Sequence, residues 1–286
     1  MCADWLGVHF PVLLIRIRYF FRFHRPIHLK SPQNINEKIL YLSLFTDTSQ
    51  WTELADKYRV RSYVSNIISD KYLPFLYGCW ENPEDINFQL LPNSFVLKLN
   101  SGSGTNIIVR DKASLDFSSV KDTLINWMRN PYGAREAGLH YLRIKPCIIA
   151  EQLLQDGFHE SLIDYKIWCF NGIPYTISTF SNRTEKVAYL GCYDLDWTCH
   201  PERLVPRSHY PIDDVPLEKP SNLDEMLSVA TRLAKPFPQV RVDLYNINGQ
   251  VFFGELTFTS LGGLMNYFTK DFLLEMGRQV DLSYRG

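Results

Sequence analysis

The amino-acid sequence predicts an α+β protein with a helical first part and antiparallel strands in its second half. Two hairpins carry this prediction, because apolar runs of strand length meet at Asn171-Gly172 and at Asn248-Gly249, the turn that hairpins prefer. The first part instead has apolar residues at helical spacing, in residues 36–44 and 51–68. With 45% hydrophobic and 14% aromatic content, the 286 residues can bury a large core, which argues against disorder.

Residues 1–30 form a basic arm. They hold five basic side chains against one carboxylate, a net charge of +4 in a chain whose total is −1. The apolar run that begins at Phe10 is interrupted by arginines before it reaches the ~18 residues of a membrane span. Arg18, Arg22 and Arg25 recur at helical spacing, which predicts a basic stripe opposite apolar residues, as in an interfacial helix. The other interpretation is a first helix docked on the protein's own core with a solvated basic face.

Composition limits the partners and metals. A total charge of −1 argues against a nucleic-acid surface, which would show a basic excess. The six cysteines are scattered without a Cys-x-x-Cys pair, so we expect them to be reduced and mostly buried. Cys192, Cys199 and His200 lack a fourth ligand at zinc-site spacing, and the flanking Asp194-Leu-Asp196-Trp is typical of a polar loop.

The remaining elements follow from local patterns. A strand, a small loop and a second strand are predicted between residues 95 and 109, and another strand at 146–154. Helices are predicted at 114–128 and 223–234, the second with Asn222 as its N-cap. Residues 191–220 are predicted to be a loop because they are rich in proline and turn formers.

The second hairpin predicts a magnesium site. It places one carboxylate on each of two apolar strands, Asp243 after Val-Arg-Val and Glu255 after Phe-Phe-Gly. Facing strands bring such side chains together, and Mg²⁺ prefers oxygen ligands, usually carboxylates together with phosphate oxygens. The alternative is a pair of ordinary carboxylates on a solvated face, although carboxylates among apolar residues need charged partners if buried.

A glycine loop upstream predicts a phosphate-binding site. Lys98 lies on an apolar strand, and the loop Asn-Ser-Gly102-Ser-Gly104 follows it. Glycine lets backbone N–H groups approach phosphate oxygens closely, and the lysine adds a positive charge. The Gly-Lys-Ser/Thr ending of a P-loop is absent from the sequence, so we expect a different nucleotide-binding fold. A plain hairpin is the other interpretation.

Several ordered motifs resemble the ATP-grasp superfamily, and within it the TupA-like family of teichuronopeptide biosynthesis. The resemblance extends from about Asn36 to Leu274. Thr257 stands where many ATP-grasp enzymes have asparagine, and Ser260-Leu-Gly-Gly263 replaces a proline-glycine ending. The motifs are Asn36-Glu-Lys, Leu54-Ala-Asp-Lys-Tyr58-Arg-Val-Arg, Val96-Leu-Lys-Leu-Asn-Ser-Gly-Ser-Gly104, Ile149-Ala-Glu151, Asp164-Tyr-Lys166, Phe170-Asn-Gly172, Val240-Arg-Val-Asp243-Leu-Tyr and Gly254-Glu-Leu-Thr257-Phe.

The resemblance implies an ATP-grasp fold, in which two α+β subdomains hold ATP between them. The parts would be the basic arm 1–30, a helical portion 31–93, a small subdomain 94–155 with the glycine loop, and a large subdomain 156–286 with the metal site. The implied ATP-binding residues are Lys98, Gly102, Ser103, Gly104, Thr105, Asn106, Glu151, Gln152, Leu153, Leu154, Asp164 and Lys166.

Each group of these residues has an implied task. Lys98 would lie beside the α-phosphate, and residues 102–106 would be a mobile lid. Residues 151–154 would line the adenine pocket, with Ile149 and Leu153 packing on the ring. Asp164 and Lys166 alternate with Tyr165 on one strand, so both could face the nucleotide; the alternative is that they pair with each other.

The resemblance also implies a magnesium site and catalytic residues. The implied metal ligands are Asp243, Glu255 and Thr257. The implied catalytic residues are Arg241, Lys166 and Lys98. Arg241 shares a strand face with Asp243 and would steady the transferred phosphoryl group and an acyl phosphate. No dedicated general base is evident: Asp164 and His140 are weak candidates, and His140 and His159 are better explained as structural.

The implied activity is ATP-dependent joining of a carboxylate and an amine through an acyl phosphate, with ATP and Mg²⁺ as cofactors. The resemblance points to cytoplasmic work on cell-surface polysaccharide, such as capsule or O-antigen, coupling an amino acid or amine to a uronic acid. A lipid-linked acceptor would fit an arm, residues 10–30, at the inner face of the cell membrane. The rivals are a glycosyltransferase or other glycan-modifying enzyme, which would use an Asp-x-Asp metal motif, and a non-catalytic binding module.

Overall fold

The computed structural model of the chain describes residues 2–130, 132–157, 161–184, 187–206, 208–213 and 215–286, without the side chain of residue 2. These residues form two antiparallel sheets surrounded by helices. The α-helices are α1 (Cys2–His9), α2 (Pro11–Phe23), α3 (Ile35–Phe45), α4 (Ser49–Ala55), α5 (Val60–Ile67), α6 (Phe117–Arg129), α7 (Leu139–Leu142), α8 (Leu223–Ala234) and α9 (Lys270–Gln279). The strands are β1 (Leu76–Trp80), β2 (Phe95–Leu99), β3 (Asn106–Val109), β4 (Ile148–Glu151), β5 (Asp164–Phe170), β6 (Ile173–Ser181), β7 (Tyr189–Tyr193), β8 (Gln239–Ile247) and β9 (Gln250–Thr257).

The helix predicted over residues 51–68 is interrupted. It forms α4 and α5 instead, because the Asp56 carboxylate accepts hydrogen bonds from the backbone N–H groups of Tyr58 (2.8 Å) and Arg59 (3.2 Å). A side chain that satisfies these N–H groups starts a new helix. Lys57 is therefore left outside both helices, and its own backbone N–H donates to the carbonyl of residue 100, next to the glycine loop (2.7 Å).

The smaller sheet has the strand order β1-β4-β2-β3. The strand-loop-strand prediction for residues 95–109 is confirmed by β2 and β3, and alternate residues of β2 point into a core closed by α6. Lys98 and Val96 lie on the opposite side. The predicted strand at 146–154 is shorter, as β4, and α6 begins later than predicted because the Asp116 side chain accepts from the backbone N–H groups of the first helical turn.

The larger sheet has the strand order β7-β6-β5-β8-β9, and both predicted hairpins are confirmed. Asp243 of β8 is opposite Glu255 of β9 and beside Lys166 of β5. The predicted loop at 191–220 is wrong at its start, since residues 191–193 belong to β7, which pairs with β6. The helix predicted at 223–234 is confirmed as α8, but the Asn222 side chain makes no cap and bonds to the second hairpin instead.

Alternation along the larger sheet separates core from cleft. Tyr165 and Ile167 of β5, with Val242 of β8, are buried under α8 and α5. Their neighbours Lys166 and Asp243 lie on the other side of the sheet, as the two-residue period of a strand requires. The polar residues of the Val-Arg-Val-Asp sequence therefore share one face.

The N-terminal helices dock on the protein through one face of α2. Ile15 and Tyr19 are fully buried there. Two members of the predicted basic stripe point the same way, because Arg18 donates to a carbonyl of residue 135 and Arg25 pairs with Glu37 at 2.9 Å. The helix thus docks on the protein's own core, as the second interpretation expects, but the predicted basic stripe is only partly solvated. Arg22 is exposed, Arg18 and Arg25 are partly buried, and the outward face of the helix is largely apolar. In the described part of the chain, no helix is long and apolar enough to cross a membrane.

Candidate functional site

The two sheets face each other across a cleft of about 460 Å³. Both predicted motifs open into it: the glycine loop and Lys98 from the smaller sheet, and the carboxylate pair from the larger. The predicted residues that line it are Lys98, Gly102, Ser103, Gly104, Thr105, Asn106, Glu151, Gln152, Leu153, Leu154, Asp164, Lys166, Asp243 and Glu255. The cleft therefore gathers most of the predicted site from segments far apart in sequence.

Linked ion pairs line the side of the cleft that the smaller sheet forms. The Nζ of Lys98 lies 2.6 Å from one oxygen of Glu151, and Arg61 of α5 donates to the other oxygen at 2.7 Å. Glu151 and Lys98 lie on neighbouring strands, so the sheet itself sets this contact. Both oxygens of the Glu151 carboxylate are therefore paired with cationic side chains. An adenine ring would contact other atoms of residues 151–154 instead.

The glycine loop joins β2 to β3. Gly102 and Gly104 both have positive φ, 80° and 78°, a conformation that other residues adopt at a cost. A Cβ on Gly102 would lie 2.6 Å from the Cβ of Tyr132, whereas one on Gly104 would meet nothing within 4 Å. Asn106, predicted as part of the lid, is the first residue of β3 and pairs with Lys98. The loop is therefore held at Gly102 and open at Gly104.

Lys57 is a site residue that the sequence analysis missed. Its Nζ donates to the carbonyl of Gly102 at 2.6 Å, and burial lowers the pKa of its ammonium group. The helix interruption at Asp56 directs it into the cleft. The signal was present in the Asp-Lys-Tyr motif at residues 56–58, which the resemblance included without assigning a role.

The apolar end of the cleft suits a flat ring. Val96 and Ile108 line it together with Leu153 and Leu154. Ile149, predicted to pack on adenine, is fully buried and is not among the lining residues. On the sheet, Ile149 lies between its register partners Cys79 of β1 and Lys98 of β2. Val96 and Ile108, on β2 and β3, take this place.

The predicted metal ligands are held by Arg241. Its Nε and one Nη donate to the two oxygens of Asp243, both at 2.7 Å, and it also reaches Glu255 at 3.3 Å. The hydroxyl of Thr257 accepts from Arg241 at 3.1 Å and donates to Glu255 at 2.6 Å. Arg241 and Thr257 are buried behind the two carboxylates and do not line the cleft. In this state they position Asp243 and Glu255.

Lys166 joins the metal end of the cleft to a second ion pair. Its Nζ lies 2.5 Å from Asp243 and 3.9 Å from Asp164, so its closer partner is Asp243 rather than its neighbour on β5. Asp164 is paired instead with Arg183, a cleft residue on the loop after β6 that no sequence pattern indicated. Asp164 and Lys166 thus both face the cleft, as their alternation predicts.

The charges around Glu255 keep it ionised. Burial raises its pKa, but the positive charges of Lys57, Arg241 and Lys166 outweigh that effect and hold the pKa at about 2. Burial raises the pKa of Asp243 despite its ion pairs. The side chain of Glu255 is 39% exposed and faces the cleft, so an ionised carboxylate is available to a ligand there.

These residues fit a magnesium ion that is shared with phosphates. Asp243 and Glu255 face each other on adjacent strands, and no cluster of three or more His, Cys, Asp or Glu suited to a metal occurs among the described residues. Mg²⁺ is commonly held by one or two carboxylates, with substrate phosphates and water completing its octahedron. A two-carboxylate site beside the glycine loop meets that requirement. In this structure the ammonium group of Lys166 lies beside Asp243, where the ion would bind.

Other candidate residues lie outside the cleft. His140 is buried against Trp51 and Tyr141, neither ring nitrogen has a hydrogen-bond partner, and burial lowers its pKa to about 3. It is therefore a structural residue and no general base. His159, also expected to be structural, lies outside the described residues.

Residues 192–200 show no sign of a metal centre. His200 hydrogen bonds with Asp194 and Glu202, and Asp196 bonds with Thr198. The Asp194-Leu-Asp196 sequence has Asp-x-Asp spacing, but its carboxylates are used within this loop, as expected for a polar loop. Of the cysteines whose side chains are described, Cys147, Cys169 and Cys192 are buried, and Cys79 and Cys199 are partly buried.

Comparisons with known proteins give a family match and several similar solved structures. A family model described as TupA-like ATPgrasp matches residues 37–281. The chain is similar to D-alanine–D-alanine ligase from Bacillus anthracis, at 17% identity and a TM-score of 0.46, over 80% of this chain and 67% of that one. A comparison with curated proteins finds no match.

Two further solved structures are similar. One is N5-carboxyaminoimidazole synthetase from Staphylococcus aureus complexed with ADP, at 10% identity and a TM-score of 0.45, over 78% of this chain and 50% of that one. The other is the ATP-grasp ligase PsnB complexed with a minimal precursor, Mg and ADP, at 11% identity and a TM-score of 0.41, over 84% and 65%. The chain therefore spans between half and about two thirds of the length of these structures.

Two antiparallel sheets flanked by helices confirm the α+β class, and the match to a family model described as TupA-like ATPgrasp confirms the fold expected from the sequence. The chain belongs to the TupA-like ATP-grasp family, because that family's model matches residues 37–281, most of its length. The resemblance found in the sequence motifs is thereby confirmed.

Proposed function

We propose that this protein is an ATP-dependent carboxylate–amine ligase that works through an acyl phosphate. The observation that supports this most strongly is the composition of the cleft, in which three lysines, Lys57, Lys98 and Lys166, surround the glycine loop and the Asp243/Glu255 pair. Such a site suits a triphosphate with a divalent cation, because both anionic phosphates and the cation find opposite charges within it.

The proposed nucleotide position follows from the two ends of the cleft. The adenine ring lies between the apolar residues of the smaller sheet and Leu154, and the triphosphate extends past Lys98 and the glycine loop toward Glu255. Lys57 and Lys98 bind phosphate oxygens, and the loop at 102–106 closes over them. In this division residues 156–286 act as the large subdomain. The small subdomain comprises residues 94–155 together with β1 of the predicted helical portion, because β1 pairs with β4.

Mg²⁺ would be held by Asp243 and Glu255, with the Thr257 hydroxyl as a third neighbour. When bound, it would neutralise negative charge on the β- and γ-phosphates. Asp243 is freed for this role when Lys166 moves from Asp243 to a phosphate oxygen. Arg241 positions both carboxylates through its buried contacts. In the proposed reaction it would also contact the transferred phosphoryl group.

The first chemical step is attack by a substrate carboxylate oxygen on the γ-phosphorus. The bond between that phosphorus and the bridging oxygen breaks, and ADP leaves with the bonding electrons. The products are ADP and an acyl phosphate. Lys98 and Lys166 neutralise the charge that develops on the phosphate oxygens, which is electrostatic stabilisation of the transition state.

In the second step the amine attacks the acyl carbon, a C–N bond forms, and inorganic phosphate leaves with the C–O bonding electrons. The amine must lose a proton. Asp164 is the carboxylate nearest to Lys166 that is not a proposed metal ligand, and it is our candidate acceptor. Closure of the glycine loop excludes water and so prevents hydrolysis of the acyl phosphate.

The proposed substrates are a uronic acid, or a glycan bearing one, and an amino acid or other amine. The support is the family's association with cell-surface polysaccharide biosynthesis, such as capsule or O-antigen. The reaction would take place in the cytoplasm, where ATP is available, next to the inner face of the cell membrane when the acceptor is lipid-linked.

Trapping with hydroxylamine tests the acyl phosphate directly. The protein would be incubated with ATP, Mg²⁺, a panel of uronic acids and hydroxylamine, and both ADP and hydroxamate would be measured. We expect equal amounts of ADP and hydroxamate, only when ATP and the carboxylate are both present. ADP release without hydroxamate, unchanged when the carboxylate is omitted, would contradict a ligase.

The matched variants are Asp243→Asn/Glu255→Gln at the site and Asp122→Asn/Glu218→Gln on the exposed surface. The first pair should lose hydroxamate formation and the second should keep it. A protein that binds no ATP would favour the non-catalytic module. Turnover of a nucleotide sugar without ATP would favour a glycosyltransferase.

A further inference from the structure

The helices α1 and α2 present an apolar face to solvent. Its large side chains are between 40% and 73% exposed, with Phe21 the most exposed. In α2 they recur at residues 13, 17, 20 and 21, which fall on one side of a helix. The apolar face includes Trp5, Phe10, Leu13, Ile17, Phe20 and Phe21.

The helices cannot turn to bury this face against their own protein. Their inner side is already used, since Ile15 and Tyr19 are fully buried. α1 also packs closely on the rest of the protein, because a Cβ on Gly7 would lie 1.7 Å from the carbonyl oxygen of Ala134. Arg25 is tied to the buried Glu37. Both helices are therefore fixed with the apolar face outward.

The charges on these helices are almost all positive. Arg16 is exposed beside the apolar residues of α2, Arg22 is exposed in the last turn of this helix, and Lys30 is exposed farther along the chain. The one acidic residue of residues 1–30, Asp4, lies 3.4 Å from Arg135. A surface that is apolar, aromatic and basic matches the interface of an anionic bilayer, where apolar side chains enter the acyl boundary and arginines meet lipid phosphates.

We propose that the apolar face of α1 and α2 seats this protein on the surface of an anionic phospholipid bilayer, with both helices in the plane of the interface. The charge pattern disfavours a second copy as the occupant. Residues 1–30 carry one carboxylate, Asp4, which already pairs with Arg135, so two copies of this face would bring like charges together. The proposal does not depend on the ligase reaction, since the cleft is formed by other elements.

Vesicle sedimentation without nucleotide tests this. The full chain would be mixed with vesicles of phosphatidylglycerol and phosphatidylcholine, or of phosphatidylcholine alone, and the partition coefficient measured at several salt concentrations. Phe20→Ser/Phe21→Ser should weaken binding to anionic vesicles at least about tenfold, because two aromatic side chains no longer leave water. Arg16→Gln/Arg22→Gln should weaken it about 25-fold at low salt, and less at high salt.

The control is Leu90→Ser/Val215→Ser, which removes two exposed apolar side chains elsewhere and should bind like the native chain. All three pairs change exposed side chains, so thermal unfolding should stay close to native. Absence of native binding to anionic vesicles would overturn the proposal, as would binding that Phe20→Ser/Phe21→Ser leaves unchanged. Self-association that this variant abolishes, without vesicle binding, would assign the face to a second copy instead.

Discussion

Replacing Lys57 with methionine would remove one positive charge from the cleft while keeping a side chain of similar length. Two contacts change. The Gly102 carbonyl loses its 2.6 Å donor, and Glu255 loses the cation that contributes most to lowering its pKa. A bound triphosphate would lose one of its lysines as well. The variant therefore acts on the loop, on the metal end and on the nucleotide together.

The expected size of the effect comes from a hydrogen bond to a charged group, which contributes about 1.5–3 kcal/mol. Loss of that contribution weakens ATP binding about 10-fold to 150-fold. The pH dependence also changes. In the native chain Glu255 has a pKa of about 2 and is ionised throughout the neutral range, whereas in Lys57→Met its pKa moves up. The deficit of the variant should therefore grow as pH falls.

Calorimetric titration with ATP and Mg²⁺ between pH 5 and 8 measures this. The ratio of native to variant dissociation constants is the quantity to follow, because protonation of ATP itself affects both proteins equally. Lys71→Met, which removes an exposed lysine that pairs with Glu225, is the matched control and should bind like the native chain. A ratio near one at every pH would refute the role assigned to Lys57.

Three more predictions concern stability. His140 has a pKa of about 3 in the folded chain, so below pH 6.5 it is protonated in the unfolded chain only, and the free energy of unfolding should fall by up to about 5 kcal/mol between pH 6.5 and 3. His140→Phe should reduce this pH dependence when unfolding is followed by calorimetry. An unchanged slope in the variant would contradict the prediction. Gly102→Ala should lower the melting temperature and weaken ATP binding more than Gly104→Ala. Both substitutions cost about 1–2 kcal/mol because both residues have positive φ, but only the Cβ at position 102 would collide with Tyr132. Equal effects of the two substitutions would contradict this prediction. Arg241→Met should lower the free energy of unfolding by up to about 3–5 kcal/mol, because the buried Asp243 loses both contacts with Arg241 and keeps only Lys166. Chemical denaturation would detect this loss, and native-like stability would contradict it.

Much of the larger sheet could be predicted from the sequence because its signals are local. An Asn-Gly turn between two apolar runs fixes a hairpin, and alternation then decides which side chains share a face. The position of Asp243 opposite Glu255 follows from these two rules, whereas the pairing of β5 with β8, which brings Lys166 beside Asp243, does not. The fold as a whole followed from the order of motifs along the chain.

What the sequence analysis missed depends on contacts between distant segments. Lys57 reaches the glycine loop only because the Asp56 side chain interrupts a segment with continuous helical periodicity. Ile149 is an apolar residue of the kind that packs on a ring, but in the folded chain it is fully buried and does not line the cleft. Arg183 is brought to Asp164 by a loop that carries no pattern.

The orientation of α2 shows a further limit. Apolar residues occur on both its sides, and periodicity alone cannot say which set meets the protein. Hydrogen bonds help to set the orientation of α2, because Arg25 donates to Glu37 and Arg18 donates to the carbonyl of residue 135 on the inner side. The outward face is then apolar, contrary to the usual expectation for a surface helix.

Calorimetry of Asp243→Asn/Glu255→Gln measures whether ATP binds between the two sheets with Mg²⁺ at these two carboxylates. The native chain and the surface control Asp122→Asn/Glu218→Gln should bind ATP with an affinity that rises when Mg²⁺ is added. The site variant should lose that magnesium-dependent gain while unfolding at a similar temperature. Native-like binding of ATP and Mg²⁺ by the site variant would contradict the magnesium site, and no ATP binding by the native chain would contradict the nucleotide site.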